Sequence, residues 1–560
     1  SPHKMENAFF DFDEVFELRK KESDTFYEEV QKDIVDEDEK NVQRQAFAGL
    51  LWNKQFYHYK VSKWLNGDPE FPVERNFGNH VRNVEWKHMN CKDIISMPDK
   101  WEYPWFATWD LAFHCVSFSI LDPEFAKDQL QLLTKEWYMH PNGQLPAYEW
   151  DFSDVNPPVH AWSTFRVFKI DEKKQGKPDL IFLESVFQKL LLNFTWWVNR
   201  KDKNGKNVFG GGFLGLDNIG AFDRNMQFKD GEHLEQADGT SWMAMFALNM
   251  MRIAMELALH NPVYEDMAIK FFEHYLYIAE AMENLGEGKN GLWNEEDGFF
   301  YDVLQLNDGT GISLKLRSIV GLIPMFAVEV IEHDMLQKLP KFSERMDWVL
   351  KNKKELANLV SHWEVEGKGR KHLMSILRKN RLTKILNRML DEKEFLSDYG
   401  IRAMSKVYEE KPFEFEIHGV NHVVHYTPAE SDSRMFGGNS NWRGPIWFPI
   451  NFLIVESLQR FHFYYDESLK VEFPTGTGNH QNLDYVADEL SKRLCHIFLK
   501  DNDGKRAFNG NIDKLNHDEY FKDYIMFYEY FHGDNGRGVG ASHQTGWTST
   551  VAKLLNPRMK

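Results

Sequence analysis

Two segments almost a chain length apart each set a carboxyl group of interest among aromatic rings, the second also among glycines. The first is WEYPWFATWDLAF, residues 101–113, with Asp110; the second is FYEYFHGDNGRGVGASHQTGWTS, residues 527–549, with Glu529. Enzymes that cut glycosidic bonds need two carboxyl groups facing each other across a sugar, one acting as acid and one as base. Aromatic faces suit such a site, because sugar rings stack their C–H edges on them while polar groups read the hydroxyls. Asp110 follows Trp109 at the start of an apolar helix, where an Asp often only caps the helix. Here Trp101, Tyr103, Trp105 and Phe106 surround it. A carboxyl held against rings loses solvation and keeps its proton near neutral pH, as a general acid must. Glu529 lies between Tyr528 and Tyr530, ahead of the turn-forming HGDNGRG, whose glycines permit close backbone approach. His543 and Trp547 belong to the same segment.

Four intervening loops mix aromatic platforms with hydrogen-bonding groups, as sugar subsites do. Residues 140–162 offer Glu149, Trp150, His160 and Trp162; residues 213–225 offer Asp217 and Asn218. Residues 233–245 offer Gln236, Asp238 and Trp242; residues 437–451 offer Asn441, Trp442, Arg443 and Trp447. Any one of these could merely cap a helix or close a loop. Their recurrence in four loops points to a shared cleft.

The elements that must carry these loops are helical. QRQAFAGLLWNKQFYHYKVSKWL, EFAKDQLQLLTKEWYM, DLIFLESVFQKLLLNFTWWVNR, SWMAMFALNMMRIAMELALH, YEDMAIKFFEHYLYIAEAMENL, RSIVGLIPMFAVEVIEHDML, FPINFLIVESLQRFHFYY and LDYVADELSKRLCHIFL all place apolar residues three and four apart. About a dozen helices, joined alternately by short and long loops, suggest a mainly α chain built as an (α/α)6 toroidal barrel. The long loops then gather at one end. No fixed repeat of solenoid type is present. Residues 1–40 read as a charged lead-in helix and linker, and 41–560 as the barrel. The Lys-, Arg- and Glu-rich stretch of about 335–412 reads as a helical insertion on its outside. Its basic cluster (Lys368, Arg370, Lys371, Arg378, Lys379, Arg381) is expected to be a solvated face. Residues 413–428 alternate and predict a short β-hairpin.

Composition narrows the classes. The chain has 560 residues and a formal net charge of −18, which disfavours a nucleic-acid partner. Eighteen Trp and an aromatic content of 15% exceed what a core alone needs. Cys91, Cys115 and Cys495 have no metal or disulfide spacing and read as buried thiols of a reducing compartment, so a cytoplasmic location is expected. The sequon at Asn193 lies in an apolar helix face. No apolar run is long enough to span a membrane. DNDGK, residues 501–505, lacks the rest of a calcium loop and reads as a turn. No metal or cofactor is expected, since dinucleotide, phosphate-loop and zinc motifs are absent.

The segments WEYPWFATWDLAF, PNGQLPAYEWDFSDVNPPVHAW, GGNSNWRGPIW and YEYFHGDNGRGVGASHQTGWTS closely resemble the C-terminal catalytic domain of glycoside hydrolase family 63, over roughly residues 41–560. The resemblance is strongest to long bacterial-type members. It implies an (α/α)6 barrel and an inverting α-glycosidase, with Asp110 as general acid and Glu529 as general base. The substrate would be an oligosaccharide or small glycoside. For that mechanism the two carboxyls stand roughly 6.5–9.5 Å apart, rather than about 5–5.5 Å as in a retaining enzyme. Trp105, Trp109, Glu149, Trp150, His160, Asp217, Gln236, Asp238, Trp442, Arg443, Trp447, His543 and Trp547 are then the expected substrate contacts. Family members usually carry an N-terminal β-sandwich domain, an expected companion that this sequence does not contain. Two other classes stay open: a carbohydrate-binding scaffold, which would need neither Asp110 nor Glu529, and an (α/α)6 epimerase, which would use paired cleft histidines such as His160 and His543.

Overall fold

The computed structural model describes residues 9–70, 81–200, 208–283 (without 211, 213, 225, 227, 229 and 230), 291–353 and 370–556 (without 434 and 436–439). Helices dominate, and the strands are short. The lead-in helix α1 (Phe12–Val30) buries only Tyr27, as its charged sequence requires. Helix α2 (Glu37–Trp52) begins where the Asp36 carboxylate accepts from the amides of Asp38 and Glu39. The predicted helix does not continue past Trp52. KQFYHYK, residues 54–60, is a strand that pairs antiparallel with Asn90–Ser96, Phe56 opposite Ile94. Its alternating Phe and Tyr favour a pleat, and Asn53 ends the helix before it.

Three helical hairpins follow. They are α3 (Thr108–Leu121) with α4 (Pro123–Leu132), α5 (His160–Gln175) with α6 (Leu180–Val198), and α7 (Ala237–Ala258) with α8 (Val263–Glu283). Their starts follow local rules. Asp122 accepts from the Phe125 amide and Pro123 opens α4; Asp179 accepts from the Phe182 amide to open α6. Helix α3 is buried on nearly every side, and so is α7, with a run of Met and Ala. Helices enclosed this way lie inside a larger assembly.

RSIVGLIPMFAVEVIEHDML, read above as one helix, is broken into pieces. One-turn 3₁₀ segments occupy Ile319–Gly321 and Ile323–Phe326, and Val328–Glu332 is a strand paired with Lys371–Ser375. Gly321 and Pro324 interrupt the helix, and the alternating Val and Ile favour the strand. The stretch 335–412 is therefore mixed. It holds α9 (Pro340–Asn352), which packs on α8, the strand 371–375, and α10 (Lys379–Met389). Lys368 lies outside the described residues. Lys371 and Lys379 instead reach the backbone carbonyls of Phe463 and Ser468. The predicted hairpin is present, Phe413–Ile417 against Val420–Val424.

The chain ends with α11 (Phe448–Tyr465), α12 (Leu483–His496) and the short α13 (Thr545–Thr548) and α14 (Val551–Leu554). Contacts run from α3 to α5, α5 to α7, α7 to the 323–326 turn, from there to α11, α11 to α13, and α13 back to α3. The other member of each hairpin lies beside this circuit: α4 on α3 and α5, α6 on α5 and α7, α8 on α7, α12 on α11. Helices α2 and α14 pack together, and each contacts α3.

Candidate active site

At the start of α3 the chain is pinned from outside. The Thr108 amide donates to Ala147 O at 2.9 Å and its hydroxyl to Pro146 O, while Ala107 bridges Tyr148. The helix-cap position is Ala107, so Asp110 is not the cap; it sits in the first turn facing inward, 7% exposed. Burial pushes its carboxyl up from 3.8 to about 7, against a small opposing pull from its own amide.

Glu529 stands at the edge of the two-residue strand Tyr530–Phe531, which pairs with Gly538–Val539. Its amide donates to Ala541 O at 2.9 Å, and the Ala541 amide donates back to Oε2 at 3.2 Å. The indole of Trp547 donates to Glu529 O at 3.0 Å. A Cβ on Gly540, at φ +74°, would lie 2.5 Å from Oε2, so glycine alone leaves room for the carboxylate. Burial raises this carboxyl to about 8, and the charges of Asp217, Asp110 and Glu102 add to the rise; the Ala541 amide works against it.

Both carboxyls line one cavity of about 410 Å³ together with Tyr103, Trp105, Trp109, Tyr148, Asn156, Asp217, Ser440, Trp442, Trp447, Gln544 and Trp547. Asp217 is raised to about 6, chiefly by burial, while a hydrogen bond from Ser440 lowers it. The indoles of Trp442 and Trp447 stack at 3.9 Å with 4° between planes, and Trp447 stacks on Tyr530 at 4.4 Å. Trp547 meets Trp109 and Trp447 edge-on. No Lys, Arg or His is among the described residues that line this space.

The other expected contacts lie elsewhere, most of them bonded to other parts of the protein. Glu149 accepts from the Tyr57 hydroxyl at 3.1 Å and faces Arg82 at 3.8 Å. Trp150 is 51% exposed; it meets Trp105 edge-on and carries the Arg82 guanidinium on its face. His160 is buried at the head of α5 with Nε2 on Leu130 O, and burial lowers it to about 4. Gln236 pairs both ways with the Gly212 backbone at 2.9 and 3.0 Å. Asp238 is held by Arg224, which also reaches Asp302. Arg443 donates to Asn218 O and Gly220 O, and Asn441 bonds Asn218, so this group knits two loops together behind the cavity wall. His543 is half-buried and does not line the cavity. Phe213, Asn225 and residues 437–439 of the quoted loops lie outside the described residues. Without His160 or His543 in the wall, the paired histidines of an epimerase are missing from the described cavity.

Sequence reasoning passed over Tyr148, Asn156, Ser440 and Gln544. The first two sit in a quoted loop and Gln544 in the quoted HQTGW; nothing but position in the fold distinguishes them from their neighbours. Among the described residues no metal-binding cluster occurs, DNDGK is a turn capped by Asp501, and no helix is long and apolar enough to cross a membrane.

Buried carboxyls facing one aromatic cavity on a helical frame are the equipment of a glycoside hydrolase, and comparison with known proteins agrees. Residues 103–347 match the family model described as the mannosylglycerate hydrolase MGH1-like glycoside hydrolase domain. An uncharacterised protein of Saccharomyces cerevisiae is 53% identical over 98% of this chain, which spans 52% of that protein. The mannosyl-oligosaccharide glucosidase of S. cerevisiae is 26% identical over 31% of this chain and 15% of its own length. The chain thus spans about half or less of these relatives. A crystal structure of the mannosylglycerate hydrolase of Thermus thermophilus, in complex with Tris and D-glycerate, shares the fold. Its TM-score is 0.51 at 13% identity, covering 92% of this chain and 99% of that one.

Proposed function

We propose that this chain is an inverting α-glycosidase acting on oligosaccharides or small glycosides, α-glucosides first. Asp110 is the general acid and Glu529 the general base. The observation that carries the reading is the meeting of these two buried carboxyls in one indole-lined cavity. The cyclic helix contacts support a closed (α/α)6 ring as the frame, with the 323–326 turn filling one inner position. The aromatic lining, in which Trp447 is stacked between Trp442 and Tyr530, supplies an apolar wall suited to a sugar, and Asp217 is suited to its hydroxyls.

In the reaction, Glu529 takes a proton from water as the water oxygen attacks the anomeric carbon. The bond from that carbon to the glycosidic oxygen breaks, and that oxygen takes the proton of Asp110. Attack from the opposite face inverts the anomeric centre. The cycle needs one carboxyl protonated and one ionised. Burial holds both near or above neutrality, and the charge of Asp110 adds to the rise at Glu529. The resemblance to the family's motif, rather than the ordering of the two values, is what supports Asp110 as the acid.

A cytoplasmic setting belongs to the same proposal. Cys91, Cys115 and Cys495 are buried and unpaired, and Asn193 is buried with its amide on Gly143 O. The remainder of the longer relatives is the natural place for a companion domain. Proton NMR of the protein with a panel of α-linked disaccharides tests the reading. The β-anomer should appear first, and Asp110→Asn and Glu529→Gln should each abolish release. An α-anomer appearing first, or an active Asp110→Asn, would overturn it.

A further inference from the structure

Several polar atoms in the cavity wall are already committed. The Trp447 indole donates to Asn441 O at 2.9 Å, and that of Trp547 to Glu529 O. The Asn156 amide donates to Ala147 O at 3.4 Å. Gln544 differs. The residue lines the cavity and is 2% exposed, and its buried Nε2 makes no hydrogen bond within the protein. An amide N–H buried without a partner costs folding free energy, and chains keep few of them.

The backbone around Gln544 holds it there. Three residues upstream, Ala541 exchanges two hydrogen bonds with Glu529. Downstream, the Gly546 amide donates to Pro98 O at 3.2 Å, and Trp547 returns to Glu529. A Cβ on Gly546 would come within 2.2 Å of His114 Nε2, so this turn packs directly on α3. The segment carrying Gln544 is tied on both sides to the proposed base.

We propose that Gln544 is a sugar-reading residue, its amide hydrogen-bonding one hydroxyl of the sugar seated beside Glu529. The inference rests on the glycosidase reading and names a specificity contact for it. An amide suits the task because it both donates and accepts, and turning its terminal bond presents either atom. It also adds no charge beside Asp110, Asp217 and Glu529. A site built to bond a particular hydroxyl rejects the sugar lacking it, because the protein group is left unpaired.

The test measures kcat/KM for an aryl α-glucoside and its 2-, 3-, 4- and 6-deoxy analogues with wild type, Gln544→Met and Gln544→Glu, together with the melting temperature of each unliganded protein. Gln544→Met should lose about 10- to 100-fold on the parent substrate, the worth of one or two hydrogen bonds. One deoxy analogue should suffer a similar loss with wild type and no further loss with Gln544→Met. The unliganded Met variant should melt at or above wild type, because an unpaired donor has been removed. A purely structural Gln544 predicts the opposite: a lower melting temperature and the same deoxy pattern as wild type, which would overturn the proposal. So would activity within twofold on every substrate. If Gln544→Met fails to fold, Gln544→Glu, which keeps the shape but loses the donor, carries the same comparison. If wild type cleaves no glycoside, the glycosidase reading fails on its own. Calorimetric binding of 1-deoxynojirimycin then decides Gln544: weaker binding by the Met variant supports the contact, and equal binding or none by wild type ends it.

Discussion

Asp110→Asn should make the protein more stable, relative to wild type, as pH rises. In the folded chain burial lifts the Asp110 carboxyl from 3.8 to about 7, while the unfolded chain returns it to the ordinary value. A group raised by folding contributes stability that is complete below its unfolded value and lost as pH climbs through its folded one. Wild type therefore surrenders stability between about pH 4 and 7, where the unfolded chain has released this proton and the folded chain has not. A displacement of about three pKa units at 1.36 kcal/mol each comes to roughly 4 kcal/mol, an upper bound because the site relaxes around the charge. Asn has nearly the same shape and no titration. The stability difference, variant minus wild type, should then grow by about 2–4 kcal/mol from pH 4 to pH 8. Urea unfolding followed by Trp fluorescence at several pH values reads it directly. A difference that stays flat across that range, or that falls, refutes the burial argument for Asp110, whatever the variant's activity.

Asp217→Asn removes a negative charge that helps hold Glu529 up, so the acid limb of the kcat/KM profile should move to lower pH while the alkaline limb stays; an upward move or none contradicts the coupling. Gly540→Ala puts a methyl 2.5 Å from Glu529 Oε2 at a positive φ, and turnover should fall at least about tenfold at a stability cost of only about 1–3 kcal/mol, measured by kinetics and melting together. Arg224→Leu leaves the Asp238 carboxylate buried without its partner and should destabilise by about 3–5 kcal/mol, whereas the double replacement Arg224→Leu with Asp238→Leu should recover much of that in urea unfolding. Because the described cavity wall holds three carboxyls and no cation, mannosylglycerol should be a better substrate or ligand than mannosylglycerate by about tenfold or more, compared by competition kinetics.

Helices with a sustained 3.6-residue period were legible: α6, α7, α8, α11 and α12 lie where the apolar spacing predicts. The errors share a cause. In 54–60 and 317–336 the residues are apolar enough for either element, and the choice falls to a strand partner that is distant in sequence, as with Lys371–Ser375 for Val328–Glu332. Asp110 and Glu529 were readable because a carboxyl among aromatic residues is an unusual neighbourhood, and Asp217 because it sits in a loop of glycines and Phe. Gln236, Asp238, Arg443 and His160 carry the same polar chemistry, but their partners are backbone carbonyls and an arginine behind the wall, and no single-sequence signal separates a residue facing the cavity from one bracing it. Gln544 shows the converse, since its distinguishing property is a missing bond.

The circuit of inner elements closes where α13 meets α3, and that seam is also where the two carboxyls meet. Asp110 enters at the first hairpin and Glu529 only near the last, more than 400 residues later. The seam is sewn by distant bonds, Asn53 to the Thr545 hydroxyl, Gln43 to Ala552 O and the Gly546 amide to Pro98 O. Synthesis thus delivers Asp110, Asp217 and Trp442 well before Glu529, and Gln544 and Trp547 complete the wall only after it. A chain that stops short of residue 529 lacks the second carboxyl, two wall residues and the bonds that sew the seam, so under the proposed reading completion of the polypeptide is itself the arming step.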